Sequence, residues 1–193
     1  MFQTDLEMDQ EGMTVPYPPL FDDIRKNHGF VDVRGRPDLA SGIAEGAGSS
    51  AMKALLIALA QPGSKLFTIG CDIGAKRLEG DIPYTAGGYI QIMNSEYARR
   101  DPDDYARFAR AVAEALKAEA EAEGHEWEVQ FVMKPVQLKL DNFTDMTGSL
   151  WIWFHAFGET EQKAVESREI LIREMGQAFS DDRHASLFEK SDV

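Results

Sequence analysis

Residues 148–158 read GSLWIWFHAFG and are apolar at almost every position between two glycines. Side chains of a β-strand point alternately to opposite faces of the sheet. One face of this predicted strand carries Leu150, Ile152, Phe154 and Ala156, and the other carries Trp151, Trp153, His155 and Phe157. Because both sets are mostly apolar, the pattern predicts a strand that is buried on two sides.

Alternation and helical spacing elsewhere predict three more strands and three helices. The strands are expected at residues 65–74, 87–94 and 127–140, and the helices at residues 50–60, 101–124 and 160–179. Ser49 or Ser50 is suited to cap the first helix, and Thr160 is suited to cap the last. Asp101 followed by Pro102 is typical of a helix start.

The apolar positions within residues 127–140 change phase at Pro135. They fall on odd numbers before the proline and on even numbers after it. An inserted bulge residue produces such a change, and proline is tolerated at bulges. The sequence therefore predicts a strand with a bulge at Pro135.

The order of the elements that follow the first helix is strand, strand, helix, repeated once. Aligning residues 88–92 with residues 148–152 places the isoleucines of one strand on aliphatic side chains of the other. The expected fold class is therefore α+β, with a four-stranded, mainly antiparallel sheet made from two strand–strand–helix halves. Both helices would lie on one face, and residues 50–60 would form an extra N-terminal apolar helix.

A chain of 193 residues with 44% hydrophobic and 27% charged residues has the composition of a folded globular protein. We expect a single α+β domain at residues 49–180. Residues 1–48 would form an N-terminal arm and irregular segment, called the N-terminal segment below. Residues 181–193 would form a polar C-terminal tail.

The same alignment predicts which side chains occupy the sheet face that the helices leave uncovered. These are Tyr89, Gln91, Met93, Trp151, Trp153 and Phe157, together with His155. Large aromatic side chains bury roughly 150–250 Å² each, so a soluble monomer rarely leaves such a patch bare. Three covers fit the pattern: the apolar helix or the proline-rich arm, a second copy of the chain, or a small apolar or aromatic ligand.

His155 is the candidate general base, because burial among aromatic side chains disfavours its charged form. Asp72 lies in mid-strand on the non-aliphatic side and could orient it, if both residues point to the open face. Cys71 alternates with apolar residues and is expected in the core. The four histidines have no metal-ligand spacing, so we expect neither a metal nor another cofactor.

The net charge of −13 opposes binding to polyanions and anionic lipids, so neither nucleic acid nor a membrane is an expected partner. The single cysteine and the short apolar run at residues 52–60 favour a cytoplasmic location. We expect homodimers and a small apolar or aromatic ligand as the partners. The predicted function is a non-catalytic ligand-binding or homo-oligomeric module that uses the aromatic sheet face. The alternative is a small-molecule enzyme with His155 as general base and residues 75–86 as a lid.

Overall fold

The computed structural model describes residues 1–21, 26–77, 84–96 and 102–181, together with His184 and Leu187. Most of the predicted polar tail therefore lies outside the described residues. The same holds for residues 78–83, the middle of the predicted lid.

In this part of the chain four strands precede the first helices, and pairs of strands then alternate with single helices. The strands are β1 (Phe2–Met8), β2 (Met13–Val15), β3 (Leu20–Phe21), β4 (Lys26–Asn27), β5 (Leu66–Arg77), β6 (Tyr84–Asn94), β7 (Trp127–Leu140) and β8 (Phe143–Gly158). The helices are α1 (Pro37–Ala40), α2 (Ser50–Leu59), α3 (Pro102–Glu123) and α4 (Glu161–Ser180), with a 3-10 turn at Ala44–Gly46.

The fold is α+β, but the expected four-stranded, mainly antiparallel sheet is wrong. Six strands form one mixed sheet in the order β1-β7-β8-β6-β5, and β2 also pairs with β7. Strands β1 and β2 run parallel to β7, whereas the other neighbours are antiparallel. The chain therefore begins with strands rather than with a helix, and the apolar helix α2 follows the N-terminal segment.

The sequence pattern missed β1 and β2 for a physical reason. Most side chains of β1 are exposed, so the strand lacks a clear apolar alternation. It is held instead by pairing of its backbone with the free edge of β7, from Phe2 opposite Trp127 to Met8 opposite Met133. Every residue except proline carries the same backbone donor and acceptor, so this pairing leaves little trace in the sequence.

Helices α2, α3 and α4 pack on one face of the sheet and form the larger core with it. Helix α2 lies against α4, where Leu55 approaches Gly176. The predicted caps are confirmed: the Ser49 hydroxyl accepts a hydrogen bond from the Met52 N–H, and Thr160 caps α4 in the same way. Among the described helices, none is long and apolar enough to cross a membrane.

A second, smaller core lies on the opposite face of the sheet. Its buried members are Val15, Phe67, Ile69, Met93, Val136, Leu138 and Leu140.

This second core explains why the apolar positions of β7 change phase at Pro135. Strand β7 pairs with β8 without a register shift along its whole length, so the predicted bulge at Pro135 is wrong. The apolar positions change parity because β7 packs on the helix-side core before the proline and on the second core after it.

A bulge does occur, but in β5 between Thr68 and Gly70. It divides a set of apolar residues that simple alternation had placed on one face. Phe67 and Ile69 belong to the second core, whereas Cys71 belongs to the helix-side core. The extra residue of a bulge thus directs the two ends of β5 into different cores.

We predict that Leu138→Ala lowers the free energy of unfolding by about 2–5 kcal/mol, because it leaves a cavity in the second core. Lys139→Ala, at the next and exposed position of β7, is the matched control and should change it by less than about 0.5 kcal/mol. Urea denaturation measures both values. Equal effects of the two substitutions would contradict the second core.

Candidate functional site

Three rings from the two central strands form an aromatic floor, defined here as Tyr89, Trp151 and Trp153. Tyr89 lies opposite Trp153 in the β6–β8 register. The ring centroids of Trp151 and Trp153 are 5.2 Å apart with 13° between their planes, so the indoles stack. The Tyr89 ring lies 4.9 Å from each indole. The sheet therefore presents a continuous aromatic surface on the face that the long helices do not cover.

The N-terminal segment covers part of this face. The Tyr17 hydroxyl donates a hydrogen bond to the Ile69 carbonyl oxygen at 2.9 Å. Gly70 makes this approach feasible, because a Cβ atom there would lie 3.3 Å from the Tyr17 oxygen. Phe30 packs edge-on against Tyr17 with 6.2 Å between ring centroids. The proline-rich arm, and not helix α2, therefore covers this part of the face.

A cavity of about 840 Å³ remains between the aromatic floor and residues 27–45, called the covering segment below. The floor side chains line it from the sheet, and Asp38 and Glu45 line it from the covering segment. Asp72 lines it from β5. A volume of roughly 300–1,000 Å³ is typical of small-molecule sites, so this cavity can hold a ligand of ordinary size.

His28 and Glu45 form a hydrogen-bonded pair in the cavity wall. The His28 Nδ1 and Glu45 Oε1 atoms are 2.8 Å apart, and the His28 backbone N–H donates to the same oxygen at 3.1 Å. Burial alone would raise the pKa of Glu45, but the hydrogen bonds from His28 outweigh burial and lower that pKa. No local pattern indicates this pair, because the two residues lie 17 positions apart in an irregular segment.

Burial also fixes the protonation of the other titratable groups at the cavity. It raises the pKa of Tyr17 to about 12 and raises the pKa of Tyr89 further above its usual value. It raises the pKa of the Cys71 thiol to about 12 as well, with smaller contributions from nearby carboxylates. All three groups are therefore neutral near pH 7, and a neutral thiol is a poor nucleophile.

Two of the predicted ligand-binding residues lie on this face but are buried and do not line the cavity. Gln91 is 2% exposed, and its side-chain amide donates to the Ser149 hydroxyl at 2.8 Å. Met93 is buried in the second core. Phe157 is half-buried and lies farther along β8, beyond the residues that line the cavity. Trp151, Trp153 and Tyr89 are the predicted binding residues that the structure brings together.

Asp72 and His155 do not meet. Asp72 lies opposite Tyr89, and His155 lies opposite Gly87 on one side and Glu128 on the other. Strand β6 separates the two side chains, both of which are described, and no hydrogen bond joins them. The Asp72 carboxylate instead accepts the backbone N–H of Ile73 at 2.8 Å.

The His155 ring packs over Gly87, where an added Cβ atom would lie 2.5 Å from the imidazole Cδ2. Burial lowers the pKa of His155, the nearby Glu128 carboxylate partly opposes this shift, and Lys76 adds to it. The imidazole is thus neutral near pH 7, as a general base requires, but it lies outside the lining of the cavity.

Comparisons of the chain with protein-family models, with curated proteins and with solved structures find no match. Within the described residues, no group of three or more His, Cys, Asp or Glu side chains is placed to hold a metal ion. The aromatic floor, the covering segment and the cavity between them are therefore the basis for inferring function.

We predict that the pKa of His155 lies below 6.5, the reference value for histidine. The free energy of unfolding should therefore decrease as the pH falls from 6.5 to that lower pKa. The direction of this change follows from linkage. Below pH 6.5 the imidazole binds a proton in the unfolded chain but not yet in the folded chain, and the loss of stability ends below the folded-state pKa. NMR titration measures the pKa, with His155→Gln to assign the signal. A measured pKa at or above 6.5 would contradict the burial of this ring.

Proposed function

We propose that the protein is a binding module for a small ligand with an apolar or aromatic body, held in the cavity above the aromatic floor. The observation that carries the proposal is the stacked floor of Tyr89, Trp151 and Trp153 beside a cavity of about 840 Å³. A flat ligand that stacks on these rings would remove a large apolar area from water. Burial of that area is the main source of affinity in sites of this kind.

The residues around the floor support preorganised binding. Beside Trp151, on the same face of the sheet, Gln91 donates to Ser149, whose hydroxyl donates in turn to the Lys134 carbonyl oxygen at 3.2 Å. The Lys134 ammonium lies 4.3 Å from the Trp151 ring centroid and pairs with Asp9 at 2.7 Å. Contacts on several sides limit the rotamers of the indoles, so less conformational entropy is lost when a ligand binds.

The enzyme alternative has less support in its original form, because His155 lies outside the cavity lining and Asp72 does not orient it. The histidine–carboxylate pair that faces the cavity is His28 with Glu45. A carboxylate on Nδ1 leaves Nε2 for a substrate, as a general base requires. This pair would be the base of an enzyme at this site, but it points to no particular bond, so binding is the function that the geometry supports better.

Self-association remains a second prediction, and a different part of the face would serve it. His155 and Phe157 are half-buried and lie on the same face as the aromatic floor, outside the cavity. A second copy of the chain that covered them would leave the cavity free. A homodimer and a ligand site are therefore compatible.

We predict that Trp153→Ala weakens binding of a small aromatic probe such as 2-naphthylmethanol by at least about 10-fold, because it removes half of the indole stack. Phe157→Ala is the matched control: it truncates an aromatic residue on the same face of β8 and should leave the affinity within about 2-fold. Isothermal titration calorimetry measures both, and circular dichroism verifies that the variants are folded.

Equal losses of affinity in the two variants, or unchanged affinity in Trp153→Ala, would contradict the proposed site. Light scattering on the same proteins tests self-association separately. A homodimer that uses the outer part of the face should lose mass in Phe157→Ala while it retains the ligand.

A further inference from the structure

The charged side chains that line the cavity are mostly negative, which disfavours an anionic ligand. Among the described residues that line it, three are carboxylates, Asp38, Glu45 and Asp72, and none is lysine or arginine. His28 lines it as well, but its imidazole is hydrogen-bonded to Glu45. The walls are therefore acidic around an aromatic floor.

We propose that the ligand is an organic cation, a protonated or quaternary amine carried on an apolar or aromatic body. This inference rests on the proposed binding function and adds the chemical class of the ligand. The negative face of an aromatic ring attracts a cation within about 6 Å of its centroid, and tryptophan attracts it best. The exposed carboxylates of Asp38 and Asp72, called the rim carboxylates below, provide the counter-charge that an ammonium group needs when it leaves water.

One protein cation already uses this property of the floor. The Lys134 ammonium lies 4.3 Å from the Trp151 ring centroid on the β7 side of the sheet. Its charge is offset by Asp9, whose carboxylate oxygen is 2.7 Å away. Trp151 therefore accepts a cation in this fold. The ring of Tyr89, 4.9 Å from that of Trp151, lies nearer β5, where Asp72 is opposite Tyr89.

Arg168, a buried arginine close to the cavity, does not make the charge of the site positive. Arg168 lines a smaller adjoining cavity of about 360 Å³ that also contacts Asp72 and Glu45. Its guanidinium donates to the carbonyl oxygens of Gly74 and Gly48 and to the Glu169 carboxylate at 3.0 Å. This arginine therefore ties α4 to β5 and to the loop before α2, and Glu169 offsets its charge.

Three naphthalene probes of similar shape and different charge test the inference: 2-naphthylmethyl-trimethylammonium, 2-naphthylmethanol and 2-naphthoate. Isothermal titration calorimetry should show the ammonium binding about 10-fold more tightly than the alcohol, with the carboxylate weakest. Added salt should reduce the difference, because the rim carboxylates Asp38 and Asp72 are exposed.

Asp72→Asn removes one rim charge and should reduce the preference for the ammonium several-fold. Asp5→Asn is the matched control. Asp5 is also exposed, lies in the edge strand β1 away from the cavity, and accepts the N–H of its next residue at 2.8 Å, as Asp72 does. Asp5→Asn changes the net charge by the same amount as Asp72→Asn and should leave the preference for the ammonium probe unchanged.

The outcomes separate this inference from the proposed function. Equal affinity for the ammonium and the alcohol, or tightest binding of the carboxylate, would overturn the cation preference and leave the binding site standing. Equal effects of Asp72→Asn and Asp5→Asn would show that net charge, and not this cavity, sets the preference. Absence of binding by every probe would overturn both proposals.

Discussion

Burial of β8 on both of its faces is the constraint on which the rest of the structure depends. Helices α3 and α4 satisfy it on one side by packing on the aliphatic residues of the strand. The other side needs cover from elsewhere in the chain, because apolar surface of this extent is costly in water. The N-terminal segment supplies that cover in part, and the part left open is the cavity.

The fit of the N-terminal segment depends on an irregularity in β5. The bulge between Thr68 and Gly70 leaves Ile69 facing the second core, and Gly70 provides the space for the Tyr17 hydroxyl. Tyr17 then closes one end of the face, and the covering segment passes over the aromatic floor with its acidic side chains toward the cavity. The same contacts that complete the fold thus give the cavity both its shape and its charge.

Strands and helices with a clear apolar pattern could be predicted from sequence, whereas the edge strands β1 and β2 and the irregular segments could not. The bounds of β7 and the caps at Ser49 and Thr160 follow from local patterns and are confirmed. The phase change at Pro135 does not reflect a bulge, and a local pattern cannot reveal this, because it shows that a side chain is buried but not which core buries it. The contact between His28 and Glu45 is tertiary, and no local rule predicts it. The aromatic floor and the side of β5 that carries Asp72 follow from alternation, whereas the approach of Asp38 and Glu45 from the covering segment does not.

The N-terminal segment of the same chain closes one end of the aromatic face and leaves a cavity beside it. Nuclear Overhauser effects from the Tyr17 ring test this most directly. We expect contacts from that ring to the Gly70 Hα protons and to Phe30, with no contact from Tyr17 to helix α2. A Tyr17 ring without contacts to Gly70, together with contacts from the Trp153 indole to α2, would contradict the claim.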